Sequence, residues 1–448
     1  MEQVKAAFQP ENVLRMGGII LGSIVAVFLL PYLLSLVIDE SYDWLLQLTL
    51  RGILTGSVYA LVALGIVIIN KASGVFNFAH GMMMLFGGLM FWQAFDAVPS
   101  QGFSIVIGVL ATIIIMILVG DNLREEGTEI EEKPQTSFVD NLMKTITSRA
   151  FLMSGGIGIV GGIIVYFLLQ NIEESLFRGA ISSLVGGIAL GLFVERFTIR
   201  PLIGQPILAS IMMTLAVALL VQGAVALFWG KGERALPIFV EPAQVTETCV
   251  AVGVDQDGNA IQNCFPQEIP AQILPNYKWD AFGLVETEMQ FQRNLVWGFG
   301  IAIVSFIAFV TFFQFSSTGL AMRAVAENQV LAESVGLRVR TILAVAWAIA
   351  TTMAVVAAVI QGSGPSVGLS VLVIPPLAFR AFPAVLLGGL ESITGALVGG
   401  LIIGIVEQLT TGLWDSSAGQ EFAPFAVLLI VLLIRPDGLF GQKRIDRV

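Results

Sequence analysis

Charge is scarce in this chain. Only 12% of its 448 residues are Asp, Glu, Lys or Arg, against roughly 25% in ordinary soluble domains, so a water-facing surface of normal charge density is excluded. Histidine occurs once, at His80, and cysteine twice, at Cys249 and Cys264. Three such residues do not make a metal-ligand set, and metal chemistry is set aside. The phosphate-cradling pattern G-x-x-x-x-G-K-[ST] is missing too; the nearest string, "FWGKGER", lacks the first glycine and the hydroxyl residue. ATP hydrolysis by that route is excluded. Carboxylates within the apolar runs reduce to Glu407 and Glu391, too few for the acidic ladder of a proton-coupled carrier. Enzymes and proton-driven carriers both lose ground.

Hydrocarbon is abundant instead. Hydrophobic residues make up 56% of the chain and the mean hydropathy is +0.85. Crossing a bilayer as helix takes about 20 apolar residues, and runs of that length begin with Met16 to Ile38 and Leu45 to Ile69. By that criterion roughly ten to twelve spans are expected, some broken or re-entrant at Gly and Pro. Backbone groups in lipid must be paired within the segment, so the expected fold is an all-α polytopic helical bundle. Glycines four apart, at Gly52/Gly56, Gly158/Gly162, Gly187/Gly191, Gly395/Gly399 and Gly400/Gly404, mark close helix contacts. The first run continues as "PYLLSLVIDE" with no small-residue cleavage site, which reads as a retained helix. A net charge of −10 gives no reason to expect nucleic acid as a partner; the expected surroundings are membrane lipid.

Orientation follows from Lys and Arg. With a cytosolic amino terminus and alternating spans, the inside loops (1–15, 70–78, 121–149, 195–206, 316–340 and 435–448) hold 16 of the 23 basic residues, and the outside loops hold five. Both termini are then cytosolic, in a multi-pass inner-membrane protein. Residues 121–149 form an acidic cytosolic insertion in which Phe138, Leu142 and Ile146 make an amphipathic stripe. Residues 230–292 form an acidic extracytoplasmic insertion, a docking surface for a soluble partner or merely a solvated face. Both cysteines fall in it, outside the reducing cytosol, so a Cys249–Cys264 disulfide is expected, worth roughly 3 kcal/mol for a loop this short. The string between them alternates apolar residues around Asp257-Gly258, a hairpin signal.

Three polar stretches interrupt or join the apolar runs. "NFAHG", residues 77–81, carries the lone histidine: Asn77 is placed to cap a helix beginning at Phe78, and Gly81 lets backbone approach a neighbour. His80, neutral in so apolar a setting, then either hydrogen-bonds within a passage or packs as a core histidine. Arg380 lies in "VIPPLAFRAFPAVLLGG", where Pro375, Pro376 and Pro383 argue against a regular helix; Glu407 is its candidate counter-ion, and snorkelling to the interface is the alternative. Between two strong spans, residues 319–335 of "STGLAMRAVAENQVLAESVGLRVR" predict one short surface helix, with Arg323 and Glu327 a turn apart and Gly336 as its stop.

The chain resembles the membrane permeases of branched-chain amino acid ABC importers, a family that includes permeases for urea and short amides. The strings that carry the likeness are "GSVYALVALGIVIIN", "GVFNFAHGMMMLFGG", "ERFTIRPLIGQPILASIMMTLAVALLVQG", the surface-helix stretch, "FRAFPAVLLGGLESITGALVGGLIIGIVEQL" and "VLLIRPDGLFG". The resemblance implies a single permease domain over residues 1–448 with no catalytic residue and no cofactor of its own. ATP and Mg would be bound by two cytosolic ATPase subunits gripping residues 321–336, with Arg323, Glu327, Glu333 and Gly336 as coupling residues. A second, related permease and an extracytoplasmic substrate-binding protein complete the assembly. Tyr59, Asn77, His80, Gly81, Arg380 and Glu407 are the candidate passage residues. A permease for urea or short amides, a passive small-solute channel and a secondary carrier are the alternatives. The resemblance departs at an extra amino-terminal span, at residues 98–178, and in the enlarged segment around the cysteines. Arg380 stands where the family usually has lysine.

Overall fold

Alternating long apolar runs and short polar links fold, in this computed structural model, into a bundle of α-helices with one end decorated by small antiparallel β-ribbons. The structure describes residues 22, 25–96, 99–125, 149–202, 205–241, 244–254, 260–269, 272–279, 288–364, 368–414 and 417–441. Helices α1 Val25–Ser35, α2 Tyr42–Ser73, α3 His80–Phe95, α4 Gln101–Glu125, α5 Arg149–Asn171, α6 Ser175–Val194 and α7 Ile207–Phe228 form the amino-terminal half. After the ribbons come α8 Arg293–Phe315, the short α9 Ser317–Glu327 and α10 Gln329–Ser334, then α11 Val339–Gly362, α12 Ile374–Gly388, α13 Ile393–Trp414 and α14 Ser417–Ile434. Among the described residues eight helices are long and apolar enough to cross a membrane, and three shorter apolar ones, α1, α12 and the last part of α14, join them. Among the described residues, eight helices of membrane-crossing length and three shorter apolar ones stand beside the expected ten to twelve spans.

The order of burial sets the architecture. In α2 83% of the most apolar window is buried, whereas in α4, α5, α7 and α8 only 22% is; α2 is the central post and the others face outward toward lipid. The 32 residues of α2 span about 48 Å, longer than the roughly 30 Å hydrocarbon core. It ends at Gly74, whose φ of 68° is the left-handed cap glycine accepts. Its main partner is α13, and glycine makes that contact possible. A Cβ on Gly52 would stand 2.5 Å from the Ile405 Cα, and one on Gly400 2.5 Å from the Ala60 N, so side chains at either position would force the helices apart. The other glycine pairs sit at contacts as well: Gly158/Gly162 on α4, Gly187/Gly191 on α11, and Gly395/Gly399 on α12. The spacing rule located real seams.

Three local expectations change. The prolines do not prevent a helix in α12: Pro375 and Pro376 occupy its first turn, where N–H groups have no intrahelical partner anyway, and Pro383 is accommodated inside it. The surface stretch forms two helices rather than one, broken at Asn328, whose side chain caps α10 by accepting from the Leu331 N–H at 2.9 Å. Asn77 does not cap a helix at Phe78; α3 starts at His80, and Asn77 Oδ1 instead accepts from the Ala79 N–H at 3.0 Å, closing a local Asx turn.

The described residues between α7 and α8 form three two-stranded antiparallel ribbons: β1 Val240–Glu241 with β4 Gln272–Ile273, β2 Gln244–Val254 with β3 Ala260–Ile269, and β5 Tyr277–Trp279 with β6 Met289–Phe291. The β2–β3 ribbon is the expected hairpin, although its Asp257-Gly258 turn lies outside the described residues. Cys249 and Cys264 are register partners in it. The expected disulfide itself finds no support. Facing backbone positions are a fact of register, a bridge needs its own S–S and dihedral geometry, and the side chains of both cysteines lie outside what the structure describes. Residues 1–21, residues 126–148 with the stripe of Phe138, Leu142 and Ile146, and residues 442–448 also lie outside the described residues.

Candidate functional site

Polar groups gather where α2 is half-way through its length. Arg51, Thr55 and Tyr59 repeat every four residues and share one face of the helix. Against them stand Arg380 from α12 and Glu407 from α13, with Gln361, Asn294, Gln292 and Asn276 from the ribbon end of the bundle. Together they line a cavity of about 260 Å³, with Leu54, Phe291 and Leu295 as its apolar members.

The charges hold one another. Tyr59 OH donates to Glu407 Oε2 at 2.5 Å, and Arg380 Nη1 stands 3.5 Å from Glu407 Oε1. Arg380 Nη2 reaches the exposed Glu421 of α14 at 3.6 Å. Both guanidinium contacts are longer than the 2.7–2.9 Å of a tight charge-assisted hydrogen bond. Glu407 is 1% exposed and Tyr59 likewise, so this is a buried ionic centre reached by the partly exposed Arg380. Arg51 is anchored separately: its Nε and Nη2 donate to the Gln290 carbonyl at 3.3 and 3.2 Å. Asn294 is also buried; its Nδ2 donates to the Ile360 carbonyl at 3.3 Å, while its Oδ1 has no hydrogen-bond partner in the structure.

A second cavity of about 470 Å³ shares Asn276, Asn294 and Gly364 with the first and continues toward the ribbons, lined also by Glu233, Phe239 and Arg293. On the opposite side of Tyr59 the packing closes. Ala60 through Ile69 are all buried, and the foot of α2 is tied down: Lys71 Nζ donates to the Glu391 carbonyl at 3.0 Å, and Gln329 Nε2 to the Ala72 carbonyl at 3.0 Å. Polar space therefore reaches mid-bundle from the ribbon end and stops there.

The structure brings together Tyr59, Arg380 and Glu407 from the expected passage set and leaves Asn77, His80 and Gly81 outside the cavity lining. His80 is fully buried between α2 and α11, and both its ring nitrogens lack partners. Its imidazole occupies the space that Gly65 leaves: a Cβ there would meet His80 Cε1 at 2.8 Å and the Ala350 carbonyl at 3.0 Å. Gly81 packs on the first turn of α12, where a Cβ would stand 2.8 Å from the Pro375 Cα. Just beyond Arg380, Phe382 joins Phe76, Phe78 and Phe379 in an aromatic cluster with centroid separations of 4.9–5.6 Å.

The expected coupling residues lie at the opposite end, where Arg323, Lys71 and Glu391 line a separate cavity of about 390 Å³. Arg323 turns back on α8, donating to the Phe313 carbonyl at 2.7 Å and stacking over the Phe313 ring. Glu327, Glu333 and Gly336 are exposed, beside the exposed apolar side chains of Leu331 and Val335. Gly336 has φ 84°, the left-handed stop.

Comparison with known proteins decides the family. The profile described as branched-chain amino acid transport system / permease component matches residues 48–121 and 146–434. The chain belongs to this permease family. The high-affinity branched-chain amino acid transport system permease protein LivH of Escherichia coli K12 is 24% identical to it over 415 residues, 92% of this chain and 100% of that protein. LivH of Salmonella typhimurium is 23% identical over the same shares, and BraD of Pseudomonas aeruginosa, named likewise, 24% over 91% of this chain and 99% of its own. No solved structure matches the chain. As a permease component it is the non-catalytic membrane part of a multi-component transport system, and the matched ranges take in the polar cavity, α9 and α10, most of α4 and all of α5.

Proposed function

We propose that this permease moves branched-chain or closely related amino acids inward as a membrane subunit of an ATP-binding cassette importer. The observation that carries the reading is a polar cavity reaching mid-bundle in a chain of this family. A zwitterion leaving water loses several kcal/mol for each polar group left unpaired, and Arg380, Glu407, Tyr59 and Asn294 are groups able to replace water there. The cavity opens toward the ribbons, extracytoplasmic by the distribution of Lys and Arg, which suits loading from a soluble binding protein docked on that face. Phe76, Phe78, Phe379 and Phe382 form the gate beneath it.

Energy enters at the other end. Two cytosolic ATPase subunits, which carry the ATP and Mg, grip α9 and α10 through Glu327, Glu333 and the exposed Leu331 and Val335. Their closure on ATP pushes a unit already fastened to α2 through Gln329 and to α8 through Arg323. That push shifts the balance between outward- and inward-open states. A second, related permease completes the membrane core.

The test is reconstitution of the transporter with the subunits that co-purify. Expected are ATP-dependent accumulation of labelled L-leucine and loss of the ATPase subunits from a Glu327→Lys/Glu333→Lys double variant. Accumulation of urea instead of leucine would establish the short-amide alternative, and equilibration without ATP a passive channel. A single cysteine at position 327 that reacts with an impermeant thiol reagent from outside intact cells would overturn the orientation.

A further inference from the structure

The cavity at the middle of α2 has more than polarity; its groups are sorted by chemistry. Two guanidiniums, Arg51 and Arg380, and one carboxylate, Glu407, are the charged side chains among its described lining residues. Glu421, the other partner of Arg380, is 74% exposed in its side chain and lies outside that lining; solvent screens it. Arg380 is held at 3.5 and 3.6 Å by its two carboxylates, which leaves its planar fork able to close on a third. On the ribbon side of the cavity, Asn294 offers the opposite chemistry. Its amide is oriented by the Nδ2 bond to the Ile360 carbonyl, and Oδ1 is a buried acceptor without a partner, a costly state unless a ligand donates to it. Leu54, Phe291 and Leu295 supply an apolar patch. At about 260 Å³ the space falls just below the roughly 300–1,000 Å³ of ordinary ligand pockets, suited to one small solute.

We infer that this cavity is a zwitterion site: Arg380, assisted by Arg51, takes the carboxylate of an α-amino acid, Asn294 Oδ1 and Glu407 take its ammonium, and Leu54, Phe291 and Leu295 face its aliphatic side chain. The inference rests on the transport reading above and sharpens it, because a neutral urea or amide leaves the guanidinium fork without an anion. Specificity then resides partly in the membrane subunit.

The experiment uses the full chain in lipid nanodiscs and labelled L-leucine, displaced by unlabelled L-leucine, leucinamide, 4-methylpentanoate or urea. L-leucine is expected to compete at least tenfold better than leucinamide, which lacks the carboxylate, and than 4-methylpentanoate, which lacks the ammonium. Arg380→Gln should bring L-leucine down to the level of leucinamide, with Arg380→Lys restoring part of the difference. Asn294→Leu should weaken L-leucine and leave 4-methylpentanoate unchanged, which keeps the idea testable if Arg380→Gln does not fold. Equal competition by L-leucine and leucinamide, or no saturable retention of L-leucine, overturns the site while ATP-driven leucine uptake by the assembled transporter stands on its own. Retention of urea with neither uptake nor binding of leucine overturns both.

Discussion

Two groups of polar residues interrupt the hydrocarbon of this permease, and they are used in opposite ways. Tyr59, Arg380 and Glu407 surround space; Asn77, His80 and Gly81 fill it. The first group comes from three helices, α2 near the start of the chain and the consecutive α12 and α13 near its end, and meets at a cavity. The second is one contiguous turn packed between α2, α11 and α12: Asn77 bonds the Ala79 N–H and the Met83 sulfur, the Phe78 N–H reaches Thr214, and the two ring nitrogens of His80 have no partner. Composition alone made the two look alike. What separates them is whether the neighbouring helix brings a side chain or a void to the same depth.

The comparison breaks most visibly at Glu407. Replacing it by Gln removes the buried charge that Tyr59 and Arg380 hold while keeping its shape. ATP-driven leucine uptake per assembled transporter should fall more than tenfold with surface abundance within twofold of wild type. Uptake left intact would show that the cavity is not on the route, and the contrast between the two groups would lose its meaning. The same substitution series at the turn should act on abundance instead. Gly81→Val places methyl groups against the Pro375 backbone, which has no flexible end to move aside. Overpacking of this kind costs about 1–3 kcal/mol, so the melting temperature and yield should drop while uptake per surviving molecule stays unchanged.

How far the sequence carried these conclusions differs by feature. Glycine spacing located the α2–α13 seam because close backbone approach requires the absence of Cβ on both helices, a local and periodic property. Arg380 and Glu407 stood out because charge in hydrocarbon is costly enough to demand a reason. Arg51, Gln361, Asn294 and Asn276 were not singled out, although the four-residue spacing of Arg51, Thr55 and Tyr59 was there to be read. The others lie at helix ends or in a loop, where polar residues are ordinary, and only the folded arrangement turns them toward the cavity. The break at Asn328 was missed for a related reason: propensity favours helix on both sides of it, and its side chain wins locally by capping the second. The prolines of α12 misled because their effect depends on context: Pro375 and Pro376 are harmless in a first turn, and Pro383, a position where proline ordinarily kinks or breaks a helix, is carried within α12.

Asn77 gives a smaller and more specific check. Asn77→Ala deletes the bond from the Ala79 N–H, worth about 0.5–1.5 kcal/mol, so thermal stability should fall modestly and uptake per molecule should hold. Asn77→Asp keeps that acceptor but brings a charge into a fully buried site and should be worse than Ala, a ranking that a solvent-lined passage would reverse.

The smallest expected effect is the most discriminating, because it concerns the lone histidine. His80 is fully buried, and neither ring nitrogen has a partner in the structure. Replacing an unsatisfied buried polar group by an apolar one of similar size is close to neutral, or stabilising by up to about 1 kcal/mol. His80→Leu should therefore keep both the melting temperature and leucine uptake near wild type, because the pocket that Gly65 opens needs filling rather than hydrogen bonding. His80→Ala should do worse than Leu by about 2–3 kcal/mol, since it leaves a void beside α11. The order Leu above Ala belongs to a packing residue. If Gln instead preserves uptake where Leu abolishes it at equal abundance, the imidazole hydrogen-bonds in another state of the cycle, and the turn joins the passage after all.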